Sequence, residues 1–115
     1  MSYDVKMVNE KGNLLVVPRH TEGGTYMVGG TNLTELNITY NYAPHFCKVL
    51  GELGIRSLYG KKGREVQPLL RKAVKKLGTE RDGDYWKSTP GNAGHALNIL
   101  LQWAILHPYG IFQGD

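Results

Sequence analysis

The segment from Pro90 to Leu106 constrains the fold more than any other. Ala96, Leu97, Ile99, Leu100, Leu101, Trp103, Ala104, Ile105 and Leu106 make it apolar on nearly every side at helical spacing, and such a helix must be covered by the rest of its chain. Thr89 suits an N-cap and Pro90 the first helical position, so a long helix is predicted from Pro90 to about Leu106. Asn98 and Gln102 interrupt the run, and it falls short of the roughly 20 apolar residues that cross a bilayer. A core helix is predicted, with no membrane span.

The remaining segments must supply the cover. Tyr3 to Val8 and Leu14 to Val17 are β-rich runs joined by Asn9-Glu10-Lys11-Gly12-Asn13, which predicts a hairpin. Thr25 to Val28, between paired glycines, reads as a short third strand. In Glu35 to Tyr42 apolar and polar residues alternate, the period of a half-buried strand. Ala43-Pro44 then opens a helix whose Phe46, Val49, Leu50 and Leu53 share one face, with Gly54 as its stop. A second helix is predicted from about Glu65 to Leu77, closing at Gly78, provided that Pro68 lies in its first turn. Ile111-Phe112 can add a final strand.

These periods predict a single α+β domain over residues 1–115, with 1–42 mainly strand and 43–115 mainly helix. A small antiparallel sheet from the N-terminal half would be covered by three helices. The last is a long apolar C-terminal helix, through which a homodimer is expected. A chain of 115 residues, 41% of them apolar, suffices for one such core.

Several chemistries lack their residues. The one cysteine, Cys47, cannot form an internal disulfide, and no charged-then-apolar leader opens the chain, so a cytoplasmic protein is expected. His20, His45, His95 and His107 are scattered, and no HExxH, CxxC or HxH spacing occurs, so no metal is expected. No Walker loop and no GxGxxG after a strand is present, and no cofactor is implied. Cys47, beside Phe46, reads as a core residue rather than a nucleophile.

The string Ser88-Thr89-Pro90-Gly91-Asn92-Ala93-Gly94-His95 is the best candidate site. Backbone N–H groups of Gly91, Asn92 and Ala93 in a first helical turn, helped by the helix dipole, can hold an anion. Small residues there leave room for a ligand, or equally for tight packing of the helix start. Gly91, His95, Asn98 and Gln102 then form a narrow polar stripe whose buried members need partners. Tyr85-Trp86 can stack a planar ring or simply fill core. Arg56, Lys61 and Arg64 lie in a Gly-rich link from which cations reach phosphates. Residues 56 to 87 carry ten Lys and Arg against four Asp and Glu, a balance that favours an anionic partner or marks a solvated face at Arg71-Lys72-Lys75-Lys76.

Asn37-Ile38-Thr39-Tyr40-Asn41-Tyr42, Gly54-Ile55-Arg56-Ser57-Leu58-Tyr59-Gly60 and Asp84 through Leu97 resemble a group of small phage and prophage proteins without an assigned activity, over roughly Leu36 to Phe112. The resemblance implies a viral origin and expression inside a bacterial host. By analogy of size and site character only, it points to proteins that trap nucleotide immune signals of the cyclic ADP-ribose or cyclic-dinucleotide type. The expected function is therefore non-catalytic sequestration of a phosphate-containing small molecule. Gly91, Asn92, Ala93, Arg56, Lys61 and Arg64 would meet the phosphates, His95, Asn98 and Asn41 would read polar edges, Tyr85 or Trp86 would stack, and Thr89 would cap the helix. The alternatives are a nucleic-acid-binding module using the basic face, a small nucleotide-cleaving enzyme using His95, and an inhibitor of a host protein.

Overall fold

A computed structural model describes residues 1–21, 23 and 30–115 of the chain. Strand β1 (Ser2–Val8) alternates as its sequence requires, with Tyr3, Val5 and Met7 buried and Asp4 and Lys6 exposed. It forms the centre of an antiparallel sheet between β4 (Glu35–Thr39) and β5 (Ile111–Gly114). Lys6 stands opposite Glu35 on one side and Gln113 on the other, and the unlike charges of the first pair favour that register. A second antiparallel sheet pairs β2 (Val16–His20) with β3 (Thr31–Leu33).

Three helices, α1 (Ala43–Leu50), α2 (Gly63–Leu77) and α3 (Pro90–Leu106), complete the described elements with two short 3-10 turns. Val5, Met7, Ile38 and Phe112 of the sheet share one apolar cluster with Phe46 of α1, Leu70 of α2, and Leu97 and Leu100 of α3. The α+β class is as expected, but its strands fall in two small sheets rather than one, and the larger sheet takes its edge strand from the C-terminus.

The differences from expectation have local causes. The turn at Asn9 to Asn13 forms, held by Asn9 Oδ1 accepting from the Lys11 and Asn13 N–H groups. The hairpin stops after one bridge, Val8 to Leu14, because both edges of β1 are taken. Buried Thr34 wedges in at that point, donating its hydroxyl to Met7 O and accepting from Leu15 N at 2.9 Å, and β2 pairs with β3 instead. The strand expected over Thr25 to Val28 lies outside the described residues.

The expected strand Glu35 to Tyr42 ends at Thr39, whose side chain caps a 3-10 turn over Tyr40–Tyr42. Helix α1 stops at Gly51, with φ of +97°, rather than Gly54, and Leu53 is left 70% exposed. Cys47 is exposed on α1 rather than in the core.

Pro68 lies at the sixth position of α2 and not in its first turn, because the helix starts at Gly63. The early start is fixed by Gly63 N and Arg64 N donating to Gly110 O and Pro108 O, both at 2.8 Å. Only glycine fits at 63, where a Cβ would come within 2.9 Å of Ala104 Cα. The bond that Pro68 cannot make would have reached the carbonyl of Arg64 on the exposed side, where water can replace it.

The C-terminal helix spans Pro90–Leu106 as expected, but the long apolar character expected of it is not borne out. Helix α3 has 17 residues, carries Asn92, His95, Asn98 and Gln102, and ends at His107-Pro108, after which the chain returns to the sheet as β5. Among the described residues no helix is long and apolar enough to cross a membrane.

Candidate functional site

The start of α3 is closed by its own chain. Thr89 caps it, accepting from Asn92 N at 3.1 Å, and Ala93 N donates to Thr89 O. Asn92 is buried, and its side chain spends every polar atom on the preceding loop: Oδ1 accepts from Asp82 N at 2.8 Å, while Nδ2 donates to Asp84 O at 3.0 Å and Lys87 O at 2.9 Å. The loop adds its own ties, with Asp82 Oδ1 accepting from Asp84 N and Asp84 Oδ1 from Trp86 N. The small residues serve this closure. A Cβ at Gly91 would run into Glu80 O, and one at Gly94 into Gly78 O, so both glycines admit backbone rather than a ligand.

Tyr85 ties the same loop to the edge of β4 that faces away from β1. Its hydroxyl accepts from Thr39 N at 3.1 Å and donates to Asn37 O at 3.2 Å, which satisfies two edge groups that would otherwise offer themselves to another strand. Its ring packs edge-on to Tyr42, whose hydroxyl donates to Tyr85 O. Burial pushes the pKa of both phenols above its ordinary value, most strongly for Tyr42.

Beside this closure a cavity of about 270 Å³ opens between β4, α3 and the loop. Leu36, Ile38, Ala96 and Ile99 form its apolar side. Its polar side includes Arg81, Asp82 and His95 together with Thr21, Asn37 and Asn92, with Arg81 Nη1 at 3.5 Å from His95 Nε2. A guanidinium only donates, so the contact needs the lone pair on Nε2 and hence a neutral imidazole with its proton on Nδ1. Burial first and the Arg81 charge second hold the His95 pKa below its ordinary value. The nearby carboxylate is otherwise engaged, since Asp82 Oδ2 lies 3.7 Å from Lys87 Nζ. The result is a cation beside a neutral imidazole at the mouth of an apolar recess.

The expected site residues separate into three groups. Thr89, Gly91, Asn92 and Ala93 build the helix start, and of these only Asn92 lines the cavity, with its hydrogen bonds already spent. His95 lines it, whereas Asn98 is half-buried and meets Gln102 Nε2 at 3.5 Å on the outer side of α3. Asn41 Nδ2 donates to Trp86 O at 2.8 Å, and Trp86, 39% exposed, packs edge-on against Tyr85. Both serve the loop.

The three cationic side chains expected at the phosphates lie elsewhere. Arg56 donates through Nε to Asp115 O at 3.1 Å and sits over the Tyr3 ring. Lys61 and Arg64 flank Gly63, which abuts Ala104, about 20 Å along α3 from Gly91 at 1.5 Å per residue. The cation that does reach the cavity is Arg81. Gly91 and Gly94, one turn apart, were its signal: they let residues 78–80 press against α3 and deliver the next residue to His95. Among the described residues no group of three or more His, Cys, Asp or Glu is placed to hold a metal.

No protein-family model, curated protein or solved structure matches the chain.

Proposed function

We propose that the protein binds and holds a small phosphate-bearing molecule in the cleft between β4 and α3. The observation that carries this reading is Arg81 and His95 set 3.5 Å apart on one wall of a 270 Å³ cavity, with the adjacent Asp82 carboxylate turned to Lys87. An oxyanion placed between the two side chains meets a permanent charge on one side, and on the other an imidazole that gains a proton as the anion arrives. The apolar wall takes the ligand's body. Holding rather than cleaving fits the described surroundings, because Tyr42 and Tyr85 are committed to the loop and the Asp82 carboxylate at the cavity is paired with Lys87 and Asp84 N.

The volume selects among ligands. It lies just under the roughly 300 to 1000 Å³ of pockets that enclose drug-sized molecules, which favours one nucleotide or less over a cyclic dinucleotide. A nucleotide-derived immune signal therefore fits best as a single phosphorylated nucleoside unit, and the phage setting rests on the sequence resemblance alone. A homodimer through α3 would use the exposed Ile105 and Leu106 of its last turn, since Leu97, Leu100, Leu101, Trp103 and Ala104 are buried within one chain.

Isothermal titration with inorganic phosphate, adenosine and guanosine monophosphates, cyclic ADP-ribose and a cyclic dinucleotide tests the reading. Binding of a monophosphate that is lost in Arg81→Ala supports it. No heat from any of the five, or binding indifferent to Arg81→Ala, overturns it.

A further inference from the structure

The solvent face of α2 has a property that the cleft does not explain. Arg64, Arg71, Lys72, Lys75 and Lys76 fall within roughly 140° of the helix circumference, opposite Val66, Leu70 and Ala73, which pack inward. All five basic residues are exposed, and among the described residues none makes an ion pair. The acid within the helix, Glu65, is turned to the N-cap, where its Oε1 accepts from Lys62 N at 3.2 Å. From Arg64 to Lys76 the charges span about 18 Å of helix axis. Lys75 and Lys76 in the last turn suit the helix dipole, but Arg64 in the first turn opposes it, so dipole compensation does not account for the whole row.

We propose that this face docks on the phosphate backbone of a nucleic-acid duplex. The choice of a polyphosphate over an acidic protein follows from what the row lacks. Protein interfaces draw their affinity from aromatic and apolar anchors set in desolvated pockets. Between its cations α2 exposes Pro68, and Tyr109, 66% exposed with Arg64 at 5.3 Å from its ring, is a lone surface aromatic at one end of the row rather than an anchor set in a desolvated pocket. A row of flexible cations without anchors suits contacts that position on phosphates and read no bases. The surface lies on the far side of α2 from α3 and the cleft, and it does not depend on the ligand held there.

Fluorescence anisotropy with a labelled 20-base-pair DNA duplex and its RNA counterpart, from 50 to 200 mM salt, tests the proposal. Five phosphate contacts predict that affinity for DNA falls about 500-fold over that range. Lys72→Ala with Lys75→Ala should reduce the fall to about 40-fold, and alanine at exposed helix positions preserves the fold. Lys11→Ala with Lys48→Ala removes the same net charge at exposed sites off this face and should leave the wild-type salt dependence unchanged. No binding to either duplex at 50 mM salt overturns the proposal. So does equal weakening by the two double variants, which would reduce the effect to overall charge.

Discussion

Replacing Asn92 by alanine tests the closure of α3 most sharply, because one side chain carries the closure. The change removes three hydrogen bonds and leaves Asp82 N without a partner inside the chain, while Asp84 O and Lys87 O keep one backbone donor each, Lys87 N at 3.2 Å and Thr89 N at 2.9 Å. At a net 0.5 to 1.5 kcal/mol per bond, the expected loss is roughly 2 to 4 kcal/mol, since all three bonds are only part-buried and water recovers some of the cost. For a chain of this size that lowers Tm by about 8 to 17 °C. Asn92→Asp keeps the volume and the acceptor for Asp82 N but sets a carboxylate oxygen against two carbonyls, so it should be no better than alanine. Urea unfolding gives the energies, and amide exchange locates the effect: residues 80–89 should lose protection before the core of α3 does. A loss below 0.5 kcal/mol for alanine, or wild-type stability for aspartate, would show that the loop is held by something other than this amide.

Gly94→Ala drives a methyl group into Gly78 O, and overpacking of about 1 to 3 kcal/mol should exceed the gain of up to about 1 kcal/mol in helix propensity; a more stable variant in thermal melts contradicts the close crossing. Tyr85→Phe strips the hydroxyl shared by Thr39 N and Asn37 O, with an expected cost of about 1 to 2 kcal/mol in urea titrations and faster exchange at Thr39; unchanged exchange there argues against the edge cap. The folded His95 pKa lies below the ordinary 6.5, so the unfolded chain takes up the extra proton on acidification. Stability from neutral His95 is thus full above 6.5 and is lost as pH falls from 6.5 through the folded value. Wild type should lose more stability than His95→Gln between pH 7.5 and 5.5, and equal losses refute the assignment.

The sequence was legible where a period or a cap decided the outcome. Alternation placed Tyr3, Val5 and Met7 inward in β1, and Thr89-Pro90 marked the first residue of α3. It was less legible where a choice between partners depended on the whole chain. Nothing local to Leu14–Val17 shows that both edges of β1 belong to β4 and β5, and Thr34, the joint that redirects β2, looks like an ordinary strand threonine. Gly54 was read as the stop of α1, and the nearer Gly51 acts instead.

At the site, the glycines of α3 were visible but had two readings, and packing was the operative one. The cation-rich link at Arg56 to Arg64 suggested phosphate ligands because sequence shows charge without position. The fold sends those side chains to Tyr3, Tyr109 and Asp115, and brings Arg81 from an aperiodic loop instead.

Ring-resolved NMR of the histidines during titration with adenosine monophosphate addresses the account most directly. The imidazole signals of His95 should shift while those of His20, His45 and His107 stay in place, and the midpoint of His95 should move upward in the bound protein. Movement confined to the other three rings, or a His95 that titrates identically with and without the nucleotide, would contradict a ligand held beside Arg81.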